Sequence, residues 1–419
     1  MPAKSSYKLF LFLYLCGMRV AAIANPKAKK WLTGRKDIFA TINSQLPTPD
    51  SRLVWMHCAS LGEFEQGRPL LEELKMQYPQ QKIVLTFFSR SGYEVMKDYK
   101  GADHIFYLPM DSVENATKFL DTVNPALVLW VKYEYWFYYL TEIKQRNIPT
   151  ILVSGIFRKD QPFFKWYGAI WKQMLDSFTH FFVQNDESKQ LLATLGFTKN
   201  VTINGDTRFD RVLEIAANFT PVDGIAGFCG DAPVIVAGST WEEDEIELLH
   251  FVNVNKHVKF IIAPHEIDKS NLKDVKEEFP DSIFYSELED KQLSTANVLI
   301  IDNIGMLSRL YKYATITYVG GGYGADGVHN VLEAAVYGKP VVFGPVYEKY
   351  YEAIGLVSSG GAISIDGGPV KLETVLNGLL QDETERKKRG EAAEQFVLDN
   401  AGASKKIMQY IQEKRLLTS

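Results

Sequence analysis

Short apolar runs alternate with helical stretches along this chain in two series, and that alternation constrains the fold more than any other feature. The first series places strands at residues 53–56, 83–87, 105–108, 127–131, 150–153, 181–183 and 201–203, with helices between them such as 64–78, 113–122 and 187–195. The pattern breaks near Asn204. Residues 206–231 read as one helix and a loop punctuated by Gly and Pro. Alternation then restarts, with strands at 234–237, 260–263, 298–301, 316–319, 340–343 and 362–365. Strands that are apolar throughout, separated by helices, predict a parallel sheet covered on both faces. The expectation is an α/β chain of two doubly wound, Rossmann-like domains facing a cleft, at residues 37–206 and 232–395, joined by a linker at 207–231. Residues 383–414 read as a long charged helix, and 396–419 are expected to pack back toward the first domain.

With 419 residues and 46% apolar content, both domains have enough material for a core. The net charge of −5 gives no general nucleic-acid footprint, so no nucleic-acid partner is expected. Three scattered cysteines fit a reducing compartment and exclude a disulfide framework.

Residues 1–36 differ from the rest. They hold Lys4, Lys8, Arg19, Lys27, Lys29, Lys30, Arg35 and Lys36 and no acid, around an apolar run at 9–18 that continues past Arg19. A spanning helix needs about 20 apolar residues, so this run spans only if Arg19 snorkels. Two readings stay open on the residues alone. One is a cleaved signal sequence, with Ala22-Ile-Ala24 as its cleavage site. The other is a short anchor with apolar side chains in lipid and cations on anionic headgroups.

Polar residues cluster after the strands, where a doubly wound sheet binds its ligands. After the first strand comes His57-Cys-Ala-Ser-Leu-Gly-Glu-Phe-Glu-Gln-Gly-Arg-Pro69. Its Glu63 stands at a helix start, where the positive end favours the ionised carboxylate needed of a general base. Phe88-Ser-Arg-Ser-Gly-Tyr93 follows the second strand, and Lys132-Tyr-Glu-Tyr-Trp136 follows the fourth. Arg208 lies in Gly205-Asp-Thr-Arg-Phe-Asp210. Two cations, Lys132 and Arg208, would suit an anionic leaving group, and each also fits an ordinary ion pair.

In the second half the strand ends read Gly238-Ser-Thr240, Pro264-His-Glu266, Asn303-Ile-Gly-Met306, the stretch 320–333 (GGGYGADGVHNVLE) and Gly344-Pro345. The glycines at 320–322 allow a tight turn and close approach to a ligand, and a helix predicted from Asn330 would present its N-terminus to a phosphate. Glu333, three residues past Asn330 on the same helix face, suits a ribose diol. The stretch matches neither a Walker loop nor the dinucleotide fingerprint. No Asp-x-Asp pair or metal-ligand spacing is evident, so neither a metal nor another cofactor is expected.

Taken together and in order, residues 57–69, the Ser89–Tyr93 turn, Tyr133-Glu-Tyr-Trp136, Gly205–Asp210, Pro264-His265, 320–333 and Gly338-Lys-Pro-Val-Val-Phe-Gly-Pro345 resemble the Kdo (3-deoxy-D-manno-octulosonate) transferases of lipopolysaccharide assembly. The resemblance covers nearly the whole chain. It implies a GT-B fold and inverting transfer of Kdo from CMP-Kdo to a lipid A precursor. Glu63 then matches the base, and Arg208 a transition-state stabiliser. Lys132 falls at the other stabilising position, where some members have Glu. The CMP contacts implied are Pro264, His265, Ile304, Gly305, Met306, Asn330, Val331, Leu332 and Glu333. Ser89, Ser91, Gly92, Ser239, Gly321 and Gly322 are further donor or acceptor candidates. Arg90 departs from the Pro that relatives often carry between the two serines. The resemblance further implies an uncleaved anchor on the cytoplasmic face of the inner membrane. Two rivals remain: a GT-B transferase using a UDP-sugar, and a periplasmic sugar-binding protein.

Overall fold

The computed structural model describes residues 2–46, 53–132, 134–288 and 296–417; Tyr133, quoted above, lies outside them. The chain forms two compact units, Met1–Arg211 with Ala401–Ser419, and Val212–Asn400.

The first unit holds seven parallel strands: β1 (Leu53–Cys58), β2 (Ile83–Phe87), β3 (His104–Tyr107), β4 (Pro125–Val131), β5 (Thr150–Gly155), β6 (His180–Val183) and β7 (Val201–Ile203). Their order is β3-β2-β1-β4-β5-β6-β7. Every residue of β1, β2, β5 and β6 is buried, which is why these strands read as unbroken apolar runs. Successive side chains still alternate: Trp55, Val84 and Trp130 join a core on one face, and Met56, Leu85 and Leu129 join one on the other.

Helix α1 (Pro2–Ala24) is followed by α2 (Pro26–Thr33), α3 (Ile38–Gln45) and, after β1, α4 (Leu61–Gln77). Gly67 lets α4 lie flat on the sheet: a Cβ there would stand 2.9 Å from Met56 Sδ and 3.0 Å from Val131 Cγ2.

Among the described residues, one helical segment, Lys4–Ala24, is long and apolar enough to cross a membrane. It is also tied into the unit. Tyr7 and Leu11 join the core, and the Tyr7 hydroxyl donates to Asp111 Oδ2 at 2.7 Å. Asp111 also accepts the Tyr138 and Tyr139 amides, each at 3.1 Å. Farther along, Trp31 Nε1 donates to the Phe88 carbonyl at 3.0 Å, and the Arg35 guanidinium lies 3.9 Å from the Trp31 ring centroid.

The expected single helix at 383–414 is two, Glu383–Asp399 and Ala403–Glu413. Gly402 turns the chain between them at φ +95°, a conformation that favours glycine. Asp210 caps the second helix, accepting from Gly402 N at 2.5 Å and Ser404 N at 2.7 Å. That helix packs on α4 and buries Ile407, Met408 and Ile411 in the first unit.

The second unit repeats the design with β8 (Val234–Thr240), β9 (Lys259–Pro264), β10 (Ile283–Phe284), β11 (Val298–Ile300), β12 (Ile316–Val319), β13 (Val341–Phe343) and β14 (Ala362–Ser364), ordered β10-β11-β9-β8-β12-β13-β14. The edge strand β10 was not expected; two residues carry no periodicity. Strand order reverses between β1 and β4 in the first sheet and between β8 and β12 in the second, where β11 also lies inside the edge strand β10. Those reversals open crevices beyond the strands' carboxyl ends.

Candidate active site

The β1/β4 crevice gathers the polar residues of the first unit. β1 runs out at Cys58, and α4 begins three residues later, which puts Glu63 in the helix's first turn. The Ser60 hydroxyl donates to Glu63 Oε2. Burial pushes the Glu63 carboxyl above the usual carboxylate range; Glu134 adds to the shift, and Lys132 opposes it. The position at a helix start led us to expect a carboxylate favoured in its ionised form. Desolvation and a second acid outweigh that contribution.

Lys132 follows β4 directly and adopts φ +58°, the left-handed region. Holding a non-glycine residue there costs about 1–3 kcal/mol, and such strain clusters at functional sites. Its amide donates to Val153 O at 3.1 Å, so the bend is fixed by the neighbouring strand. Glu134 accepts from Trp136 Nε1 at 3.0 Å and lies 3.5 Å from His57 Nε2. His57 is fully buried, with Nδ1 2.9 Å from Thr86 Oγ1 and its ring centroid 4.5 Å from that of Trp130.

Arg208 opens the helix Arg208–Ala217 and donates from Nε and Nη2 to Asp206 Oδ2 at 3.0 and 2.9 Å. Gln184 and Gln66 donate to the same oxygen at 2.8 and 3.2 Å. Burial pushes the Asp206 carboxyl up, but Arg208 and Lys132 more than offset it and hold it below its ordinary value. Ser89 caps the helix Arg90–Met96, with Oγ 3.3 Å from Gly92 N and 2.9 Å from Ser91 Oγ. Gly92 is packed on the Phe87 ring, and Arg90 is half-buried. The Ser89 amide donates to Ala59 O at 2.7 Å, which joins this turn to the loop that carries Glu63.

In the second unit, Ser239, Gly321 and Gly322 border the β8/β12 crevice. Ser239 is held at φ +54°. The glycines serve internal packing: a Cβ on Gly320 would stand 2.3 Å from Ser239 O, and one on Gly322 2.5 Å from Gly344 N. The amide of Gly321, one of the candidate contacts, is taken by Asp244 Oδ2 at 2.8 Å. Asp244 also accepts from Trp241 N at 3.0 Å and the Tyr318 hydroxyl at 2.7 Å.

Pro264 ends β9, and the His265 ring stacks on both Trp241 and His329, at 4.7 and 4.3 Å by centroids, while those two rings lie 6.3 Å apart. Trp241 Nε1 donates to His329 Nε2 at 2.8 Å. Burial lowers both imidazoles, His329 to about 4 with His265 contributing. Ile304 is 86% exposed on a turn after β11, with Gly305 at φ +95° and Met306 buried beneath it.

The helix expected from Asn330 is a single turn, Leu332–Ala335, preceded by Val331, and Gly338 at φ +64° bars its extension. So short a helix has little macrodipole. Asn330 instead uses its side chain: Oδ1 accepts from Leu332 N at 3.3 Å, and Nδ2 donates to Glu333 Oε1 at 2.8 Å. No group of three or more His, Cys, Asp or Glu able to hold a metal occurs among the described residues. Sequence reasoning did not single out Glu134, Asp206, Asp244, Trp241 or His329 for a role. Glu134 and Asp206 lay inside quoted motifs, but some of their partners are distant in sequence: His57 for Glu134, and Gln66 and Gln184 for Asp206.

Two doubly wound parallel units of this kind define the GT-B class. Comparison with known proteins agrees. UDP-GlcNAc 2-epimerase from Neisseria meningitidis superposes with a TM-score of 0.56 at 17% identity, covering 86% of this chain and 99% of that one, which shows the fold alone. The family model for 3-deoxy-D-manno-octulosonic-acid transferase (kdotransferase) matches residues 34–211. The 3-deoxy-D-manno-octulosonic acid transferase of Haemophilus influenzae is 26% identical over 417 residues, 96% of this chain and 95% of its own length. A bifunctional glycosyltransferase/methyltransferase from Fusobacterium nucleatum is 30% identical over 70% of this chain, and the match spans about half, 47%, of that protein. Residues 34–211 thus match the Kdo transferase family, and the chain is similar over nearly its whole length to a transferase of that name.

Proposed function

We propose that this chain transfers Kdo from CMP-Kdo to a lipid A precursor with inversion at the anomeric carbon. The observation that carries the reading is the half-buried, upshifted Glu63 beside Lys132 and Glu134 at the β1/β4 crevice, within the residues that match the Kdo transferase family. Glu63 takes the proton of the acceptor hydroxyl as its oxygen bonds to the anomeric carbon. The bond from that carbon to the phosphate oxygen breaks, and CMP leaves with the electron pair. Lys132 and Arg208 supply positive charge for the leaving phosphate, so this chemistry requires no metal.

CMP is assigned to Pro264, His265, Ile304–Met306 and Asn330–Glu333, with Glu333 accepting from the ribose diol. Ser89, Ser91, Gly92, Ser239, Gly321 and Gly322 are the further sugar or phosphate contacts. We assign α1 to the cytoplasmic face of the inner membrane. The Tyr7–Asp111 bond supports retention of that segment, because removing it would take away the side-chain donor that the buried Asp111 accepts from beside the Tyr138 and Tyr139 amides.

Thermal-shift titration tests the donor assignment. CMP should raise the melting temperature, whereas UDP and UDP-sugars should not. Stabilisation by UDP alone would transfer the chain to the UDP-sugar reading.

A further inference from the structure

The turn at residues 161–168 carries an arrangement that the transfer reaction does not use. Phe163 is buried, with ring centroids of Tyr135, Phe157 and Trp171 at 4.9, 5.7 and 5.9 Å. Backbone bonds tighten the turn: Phe164 N to Gln161 O at 3.1 Å, Lys165 N to Pro162 O at 3.2 Å and Gly168 N to Lys165 O at 2.9 Å. A Cβ on Gly168 would stand 2.2 Å from Pro162 O, so glycine is what lets the turn close. Three residues past the buried Phe163, Trp166 is 95% exposed, and Tyr167 beside it is 52% exposed. A rigid turn that holds a bare indole in water is built to meet something.

Its surroundings indicate what. The turn feeds the helix Ala169–Leu175, which packs beside α1. Leu9, Phe10, Phe12 and Leu13 of α1 are each more than half exposed. Exposed Lys4 and Lys8 lie on α1, and exposed Arg158, Lys159, Lys165 and Lys172 surround the turn. Asp160 is the one acid between residues 156 and 175.

We propose that Trp166 and Tyr167 form a second membrane contact, entering the headgroup layer of an anionic bilayer beside the apolar side of α1. Indole and phenol rings favour that layer, where an apolar body and a polar tip are both satisfied. The surrounding cations attract anionic lipid. A lone interfacial helix can roll about its axis, whereas two contacts on one unit fix its orientation at the surface. The proposal rests on the reading of α1 as a membrane-lying segment.

Flotation of the full-length chain with vesicles of phosphatidylethanolamine and phosphatidylglycerol tests it. Trp166→Ala/Tyr167→Ala should partition roughly tenfold more weakly at unchanged thermal stability. Trp166→Phe should keep most of the binding, and it should lose the part of the tryptophan emission that brominated-chain lipids quench in the parent chain. Parent-like partitioning of the double variant, or equal binding to neutral phosphatidylcholine, would overturn the proposal. So would loss of self-association at unchanged vesicle binding, which would give the turn to a second copy of the chain. Phe10→Ser/Leu13→Ser tests the α1 reading separately: parent-like partitioning there removes that reading, while the Trp166 variants still decide the turn.

Discussion

Asp206 holds Arg208 by two hydrogen bonds to one carboxylate oxygen, at 3.0 Å from Nε and 2.9 Å from Nη2. Donors from Gln66 and Gln184 fix that oxygen in turn. The guanidinium is therefore oriented before any ligand arrives. Asp206→Asn should lower kcat on the order of 10–100-fold, because a misplaced cation loses most of its effect on the developing charge. CMP-induced thermal stabilisation should persist. Unchanged kcat in steady-state assays would make the Asp206–Arg208 pair purely structural.

As the proposed base, Glu63 would work only when ionised, so its raised pKa should move the acid limb of the kcat/KM profile above that of an ordinary glutamate. Burial is the main cause, and Glu134 contributes. Glu134→Gln removes a like charge and should shift that limb to lower pH. A limb that stays in place would show that Glu134 does not tune the base.

Glu245 is buried, and burial pushes its carboxyl up to about 7 from 4.5, against the hydrogen bond from Thr240. A carboxyl raised in the folded state contributes stability that is present below about pH 4.5 and lost as pH rises through about 7. Glu245→Gln should therefore gain stability relative to the parent between pH 4.5 and pH 8, on the order of 3 kcal/mol. Denaturant melts at both pH values check it; a difference independent of pH would contradict it.

Glu333→Ala should weaken CMP binding roughly tenfold if the carboxylate accepts from the ribose diol. Asn330 loses its partner in that variant, so Glu333→Gln is the control, since its amide oxygen can accept from either group. Calorimetric titration with CMP and 2′,3′-dideoxy-CMP separates the two effects. Equal loss for both ligands would place Glu333 away from the ribose.

The parallel strands were legible because strands buried on both faces must be apolar along their length, as Leu53–Cys58 and Ile83–Phe87 are. β10, with two residues, left no such trace. The break at Gly402 was hidden between two helical stretches. The surroundings of Glu63 depend on sheet order, which local pattern does not encode. Pairing of β1 with β4 sets His57 opposite Trp130 and leads Lys132 and Glu134 out beside the β1 turn. The 320–333 stretch was legible as a turn, but its glycines meet Ser239 and Gly344, residues distant in sequence.

The most direct test of Kdo transfer combines CMP-Kdo generated in situ, a tetra-acylated lipid A precursor and mass spectrometry of the lipid product. The parent chain should add whole Kdo units to the precursor, and Glu63→Gln should bind CMP normally yet form almost no product. A parent chain that leaves the precursor unmodified, or a Glu63→Gln variant with near-parent turnover, would contradict the account.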